Sequence, residues 1–520
     1  MRLLRVVNQP TLGCLVTLIV ILVIVAGCRR DVTIGGLRMR QGVVQIDRPT
    51  STPQADGPPR HNVQADEGNP PDPTIVPTYA PTPTRAIPDS TAVYYIVRSG
   101  DTLSRIAMLY GTTVESLMVI NNLTNANQVK IGQQLQVRYE AQFVGPGEII
   151  IPDSELVLGP GYANFDTAAF INSHNGYLKS YDETVLGVSM SGAEIIDMVA
   201  LQYSIGPRVL LALLEIHSSW VTNPSPASSQ ILYPLNYVGA DYWQGLYHQL
   251  ILAADALNTG FYGWWYDEVW LIQTRDTTYM RYSEKINAGT AGVQFALAKS
   301  ALNHQELLAS LEDFTLTYHR LFGNPADYAV EPLVATDAPG LPLTLPWPKG
   351  ETWYLSGGPH SGWGTLGAMA ALDFVTGEKN IGCQISQGWV TAVANGTVIV
   401  SHDGMVLQDV DDDGYVGTGW VVLYMHMASQ DRIEKGTYAR VGDRIGHPSC
   451  EGGVSYASHL HLARRYNGLW VAADDVRWPM ILSGWTAQQG SQQYEGTLHK
   501  DDQVKTACEC WEDINGITHD

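Results

Sequence analysis

The hydrophobic positions of this chain change period several times along its length. After Arg2 and Arg5 an unbroken apolar run, LVTLIVILVIVAG, leads to Cys28. Residues 49–88 then hold eleven of the 28 prolines, with few large apolar side chains, so they bury no core and read as an extended tether. Roughly forty such residues at about 3.1 Å each reach on the order of 120 Å. Tyr94–Val97 reads as a short strand and is followed by the turn Ser99-Gly100-Asp101. Leu103, Ile106 and Ala107, then Val114, Leu117 and Ile120, carry helical spacing before a strand at Leu135–Val137. That is a β-α-α-β unit.

From 160 to 330 the period is helical. Ser191 and Glu194 form a capping box ahead of Ile195, Met198 and Val199. Gly206-Pro207 opens a second helix whose run VLLALLEI is apolar nearly all round and therefore buried. Trp243, Leu246, Tyr247 and Leu250 stripe a third. From 341 to 475 glycine-rich turns separate short alternating strands, which predicts antiparallel β structure. Within it, YASHLHLARRYNGLWV places His459 and His461 two residues apart. On a strand they share one face while Leu460 and Leu462 anchor the other. Two titratable rings on one face of an apolar strand ask for a metal or a reaction. His360 in SGGPHSGWG, Asp373 thirteen residues later, and His426 at the end of the strand GWVVLYMHMA are the available partners.

Composition narrows the setting. At 520 residues the length prior is about three domains. The formal charge of −21 excludes a nucleic-acid binder, which needs a basic face, and disfavours docking on anionic lipid. The charged n-region and apolar run of residues 1–27 are those of an export signal, the run being short for a membrane span. The ending VAGC resembles the lipobox of bacterial lipoproteins, which implies cleavage before Cys28 and lipid on its thiol. An uncleaved signal anchor is the alternative, and both put the rest of the chain outside the cytoplasmic membrane. Disulfides are permitted there. Cys383, Cys450, Cys508 and Cys510 allow three pairings, of which Cys383 with Cys450 is preferred because both lie in one candidate domain.

The β-α-α-β unit, with its GDTL and IGQQL signatures, resembles the LysM module, which binds N-acetylglucosamine-containing glycans such as peptidoglycan. The resemblance implies glycan contacts at Gly100, Asp101, Thr102 and Leu103 on one loop and Asn125 and Ile131 on the other. The stretch YSIGPRVLLALLEIHSSWVTNP faintly resembles lysozyme-like lytic transglycosylases, in which a glutamate precedes serine. Here His217 precedes Ser218, and Glu215 lies two residues earlier. Two residues turn a helix by about 200°, so Glu215 faces the wrong way.

The set His360, Asp373, His426, His459 and His461 resembles the lysostaphin-type and β-lytic zinc metallopeptidases, which cut peptide bridges of peptidoglycan. The resemblance implies zinc on His360, Asp373 and His461, with His426 and His459 as catalytic residues whose individual roles stay open. Two histidines, a carboxylate and an open position suit catalytic zinc. Asp409, Asp411, Asp413 and Gly414 in DVDDDGYVGTGW match the first half of an EF-hand calcium loop, but Trp420 stands where the bidentate glutamate belongs. Calcium and a solvated acidic hairpin are the two readings.

The expected organisation is a multidomain chain. A lipoprotein signal at 1–27 and a tether at 28–90 precede a glycan-binding module at 91–139. A helical spacer at 140–338, an antiparallel β zinc peptidase at 339–480 and a tail at 481–520 complete it. The expected function is a lipid-anchored, wall-facing zinc endopeptidase with peptidoglycan as partner. A non-catalytic wall scaffold and a bifunctional enzyme with a transglycosylase-like middle domain are the alternatives.

Overall fold

The computed structural model describes residues 93–97, 101–110, 112–127, 129–137, 143–266, 269, 271–379, 381–490 and 492–520. The export signal, Cys28, the tether and Gly100 lie outside the described residues. Strand β1 (Val93–Ile96) pairs antiparallel with β2 (Gln134–Val137), across helices α1 (Leu103–Leu109) and α2 (Val114–Ile120). Leu103, Ile106, Leu117 and Leu135 form a small core of their own. Thr113 caps α2 by accepting from the Ser116 backbone N–H.

The next body is mostly helical: α3 (Gly192–Tyr203), α4 (Pro207–Ser218), α5 (Leu246–Trp265), α6 (Ala288–Ser300) and α7 (His304–Phe322). Ser191 and Glu194 make the capping box of α3, and Pro207 occupies the first turn of α4, where its missing N–H costs nothing. Helices α5 and α6 approach closely because a Cβ on Gly260 would lie 2.6 Å from the Ala291 carbonyl oxygen. Inside this body Glu155 takes bidentate donation from Arg208 at 2.7 and 2.8 Å and a bond from Tyr162 at 2.5 Å.

Nine strands follow in one antiparallel sheet. They are β3 (Thr352–His360), β4 (Ala371–Val375), β5 (Gly396–His402), β6 (Met405–Asp409), β7 (Trp420–Met425), β8 (Tyr438–Ala439), β9 (Leu460–Tyr466), β10 (Leu469–Trp470) and β15 (Gly516–Thr518). The order across the sheet is β8-β5-β6-β7-β9-β4-β3-β15, with β10 paired to β9. The described residues 481–490 and 492–520, expected as a tail, carry strands instead. Besides β15 they form a four-stranded meander of β11 (Ile481–Leu482), β12 (Trp485–Gln489), β13 (Gly496–Lys500) and β14 (Gln503–Thr506). Period-2 signals interrupted by glycine and glutamine are too short in this region to have marked strands.

The helical body is not a detached spacer. Its apolar side chains and those of the nine-stranded sheet form one continuous core. Polar contacts cross the seam as well. The Trp470 N–H donates to the Tyr262 hydroxyl at 2.9 Å and the Ala472 N–H to the Tyr266 hydroxyl at 3.0 Å. Arg465, buried over the Trp470 ring, donates to the Leu201 carbonyl at 3.0 Å. Cys383 pairs with Cys450, as preferred from sequence, and Cys508 pairs with Cys510.

Candidate metal centre

Three adjacent strands deliver three donors to one point. His360 ends β3, Asp373 lies in the middle of β4, and His461 is the second residue of β9. Register puts Asp373 directly opposite His461. The β3–β4 pairing slips between Gly357 and His360, a bulge that re-aims the end of the strand. Gly357 has no side chain to spare here, since a Cβ would meet the Asp373 carboxylate at 2.9 Å.

All three residues are buried. His360 Nε2 lies 3.0 Å from His461 Nδ1, and Asp373 Oδ1 lies 3.3 and 3.2 Å from those two nitrogens. The outer nitrogen of each ring is already committed: His360 Nδ1 to the Gly358 carbonyl at 2.8 Å, His461 Nε2 to the Gly362 carbonyl at 3.2 Å. That network assigns the tautomers, so each neutral ring turns a lone pair inward. Asp373 Oδ1 is buried and, among the described residues, accepts no hydrogen bond. Two lone pairs and an unsatisfied carboxylate oxygen facing one point repel unless a cation lies between them. The donor set therefore fits a metal with nitrogen and oxygen ligands. Charge shows the same polarity. Burial works against an ionised His360, but Asp373 outweighs it and holds the ring above its ordinary value. Burial likewise opposes an ionised Asp373, but His360 and then His459 keep it well below the usual carboxylate range.

The two remaining histidines border this point. His426 follows β7 with φ +66, so the strand's alternation has ended and the ring is re-aimed. Its Nδ1 donates to the Gly452 carbonyl at 2.8 Å. Burial, with His459 and His461 nearby, lowers its pKa well below the histidine norm. His459 precedes β9. Its Nδ1 donates to the Ala457 carbonyl at 2.8 Å, and its Nε2 lies 3.7 Å from Asp373 Oδ1. The His426 and His459 rings are 4.4 Å apart. All five singled-out side chains thus meet in one place.

Sequence reasoning missed Tyr494. It sits between β12 and β13 and stacks on His360 at 4.2 Å. Backbone bonds from Gly358 N–H to the Tyr494 carbonyl and from Tyr494 N–H to the Pro359 carbonyl lock the two segments together. Nothing in SQQYEG distinguishes this tyrosine. The neighbouring Gln493 donates to the Thr365 carbonyl at 2.7 Å, and Asp255 of α5 accepts from the Thr365 N–H at 2.8 Å. The loop after His360 is thereby held from two sides.

Other expected sites fare differently. Glu215 is buried and accepts from the Val221 N–H, the Thr222 hydroxyl and Arg320 at 3.0, 2.6 and 3.1 Å. Its carboxylate ties the end of α4 to the segment that follows. Leu103 is 1% exposed and packs in the small core, so the expected glycan contact there is corrected: it holds up the loop from beneath. Asp101 is half-buried and accepts from the Tyr95 hydroxyl at 2.6 Å. Thr102, Asn125 and Ile131 are exposed. Val97 bonds to both Gly132 and Gln133, which brings the two loops side by side. Oxygens of Asp409, Asp411 and Asp413 also gather, within 4.8 Å of one another. Among the described residues no helix is long and apolar enough to cross a membrane.

An antiparallel sheet that buries two inward-facing imidazoles and a carboxylate, with two further histidines at its rim, defines a candidate mononuclear metal site. Residues 95–138 match the LysM domain, and residues 149–335 match the family described as LasA, N-terminal domain. The chain is 49% identical over 53 residues to N-acetylmuramoyl-L-alanine amidase sle1 of Staphylococcus saprophyticus, covering 10% of this chain and 16% of that protein. It is 43% identical over 53 residues to N-acetylmuramoyl-L-alanine amidase XlyB of Bacillus subtilis, covering 10% and 17%. The chain thus spans under a fifth of the length of these two relatives. Among solved structures it is similar to the deep-sea metalloprotease pseudoalterin, with 23% identity, TM-score 0.26, and coverage of 33% of this chain and 96% of that one. It is also similar to the catalytic domain of the antimicrobial peptidase lysostaphin from Staphylococcus simulans, with 23% identity, TM-score 0.17, and coverage of 24% and 89%.

Proposed function

We propose that the protein is an extracytoplasmic, zinc-dependent endopeptidase that hydrolyses peptide bridges of peptidoglycan. In this reading its LysM segment holds it to wall glycan, and lipid on Cys28 ties it to the membrane. The observation that carries the reading is the convergence of His360, Asp373 and His461 on one buried point. The LysM match, shared with two relatives named as N-acetylmuramoyl-L-alanine amidases, supports a wall-glycan partner.

His360, Asp373 and His461 would hold the zinc. Bound there, zinc supplies an acidified water and polarisation of the scissile carbonyl. The chain's own residues do the rest. His426 and His459 each commit Nδ1 to a backbone carbonyl, which leaves Nε2 for the reaction. One ring, neutral, takes the proton of the attacking water on its Nε2 lone pair and returns it to the leaving amine. The other, carrying a proton on Nε2 as well, donates it in a hydrogen bond to the oxygen that becomes negative. Tyr494 covers the outer face of His360 and keeps its ring plane fixed.

The test is metal content together with product analysis on peptidoglycans of defined bridge chemistry. The purified chain is expected to hold about one zinc and to release new amino groups without new reducing ends. His461→Ala is expected to lose both metal and release. Stoichiometric zinc in His461→Ala, or reducing ends without amino groups, sinks the reading.

A further inference from the structure

The hairpin between β6 and β7 has chemistry that the candidate metal centre does not use. Asp409 closes β6, and Asp411 and Asp413 follow on the turn. Asp411 and Asp413 are exposed, whereas Asp409 is 0% exposed. Asp409 Oδ2 accepts from the Gly414 N–H at 2.8 Å. Its other oxygen, Oδ1, is buried and among the described residues accepts from no N–H or hydroxyl. Leaving a buried carboxylate oxygen unsatisfied is costly, and the charges that act on it most strongly are those of Asp411 and Asp413, both negative. Burial first, and a hydrogen bond with the Asp411 carboxyl next, push Asp409 up to about 7, so in the absence of a cation a proton stands between these two side chains. The turn is shaped to keep the carboxylates together: Gly419 has φ +55, and a Cβ there would lie 2.0 Å from Asp411 Oδ2.

The same hairpin is keyed to the helical body. The Tyr415 hydroxyl donates to the Gly159 carbonyl at 3.2 Å. Gly417 lies so close that a Cβ would stand 2.7 Å from the Leu158 carbonyl oxygen. Gly419 N–H donates to Asn467 Oδ1 at 2.9 Å, and Asn467 Nδ2 donates to the Leu333 carbonyl at 2.9 Å. The far end of the turn therefore touches the Leu158–Gly159 segment of the helical body directly and Leu333 through Asn467.

The geometry points to a site for a hard divalent cation of calcium's class on Asp409, Asp411 and Asp413, whose occupancy fixes this hairpin against the helical body. A cation satisfies the orphaned Asp409 oxygen and removes the repulsion among the three carboxylates. Carboxylate oxygens select such a cation over zinc, which the imidazole-rich centre takes. With Trp420 in place of a bidentate glutamate, affinity falls in the weak range of extracellular modules, about 10⁻⁴ to 10⁻³ M.

The experiment uses the full chain with zinc held at constant saturating concentration and calcium removed by dialysis. Calcium chloride is titrated calorimetrically. Terbium is titrated in parallel, its luminescence sensitised by Tyr415 and Trp420. One calcium equivalent beyond zinc is expected, with a melting temperature that rises with calcium. The exposed pair Asp411→Asn/Asp413→Asn is expected to weaken calcium and cut terbium emission at least tenfold while circular dichroism stays unchanged. Tyr415→Phe is expected to keep calcium binding but show a smaller calcium-dependent rise in melting temperature. Absence of binding at 10 mM calcium, or undiminished binding by the double variant, overturns the site. Binding without any shift in melting temperature overturns its role at the seam.

Discussion

Tyr262→Phe combined with Tyr266→Phe tests whether the helical body and the sheet are one folding unit. The two hydroxyls are the acceptors for the Trp470 and Ala472 N–H groups across the seam. Trp470 is 1% exposed and Ala472 5%, so neither N–H has water as a substitute. Phenylalanine keeps the ring and removes only the hydroxyl, which on Tyr266 also donates to the Trp470 carbonyl at 3.5 Å. A buried, unsatisfied N–H costs about 1–3 kcal/mol, so the pair costs roughly 2–6 kcal/mol. The unit from residue 143 onward is ~380 residues, which at about 2.1 cal/mol/K each gives an unfolding entropy near ~0.8 kcal/mol/K. The expected fall in melting temperature is therefore roughly 3–8 °C. Scanning calorimetry of the zinc-saturated full chain should show that fall in one cooperative peak covering both layers. Two separate peaks of which only one moves, or a shift below about 1 °C, would refute the shared core.

Two further outcomes follow from the geometry. His426→Ala and His459→Ala should each keep metal and lose turnover on the order of a hundredfold or more, read by elemental analysis and peptide cleavage on the same samples; loss of metal from either would mean that ligand and proton-transfer roles are exchanged. Asp153 is raised to about 7 by burial and by Glu331, so the folded state keeps its proton where the unfolded state has lost it. Its contribution is full below about pH 4 and is lost as pH rises through 7. Asp153→Asn should therefore flatten the decline in melting temperature between pH 5 and 8, and parallel curves for the two proteins would refute this.

Local rules carried the sequence reading a long way. The capping box of Ser191 and Glu194, Pro207 at a helix start, and the two-residue spacing of His459 and His461 each depend on neighbours within one element. What the sequence concealed depends on partners far along the chain. Tyr494 reaches His360 only because the meander of residues 481–506 folds against β3. Tyr262 and Tyr266 look like one more turn of a buried helix until the sheet supplies the N–H groups they accept. Leu103 stands in a glycan-loop signature, but periodicity alone did not say that its side chain points into the core. The bonds that Glu215 accepts from residues 221–222 had no signal in the helix that carries it.

The strand order of the large sheet has a consequence for the timing of activity. His360 and His461 are separated by a hundred intervening residues, and β3 takes its outer neighbour, β15, from more than 150 residues downstream. Pairings at such separations form late and slowly, because loop-closure entropy is lost before any contact is gained. Under the function proposed above, a chain exported in extended form would carry its donors scattered, and the candidate metal site would assemble only once those strands had closed.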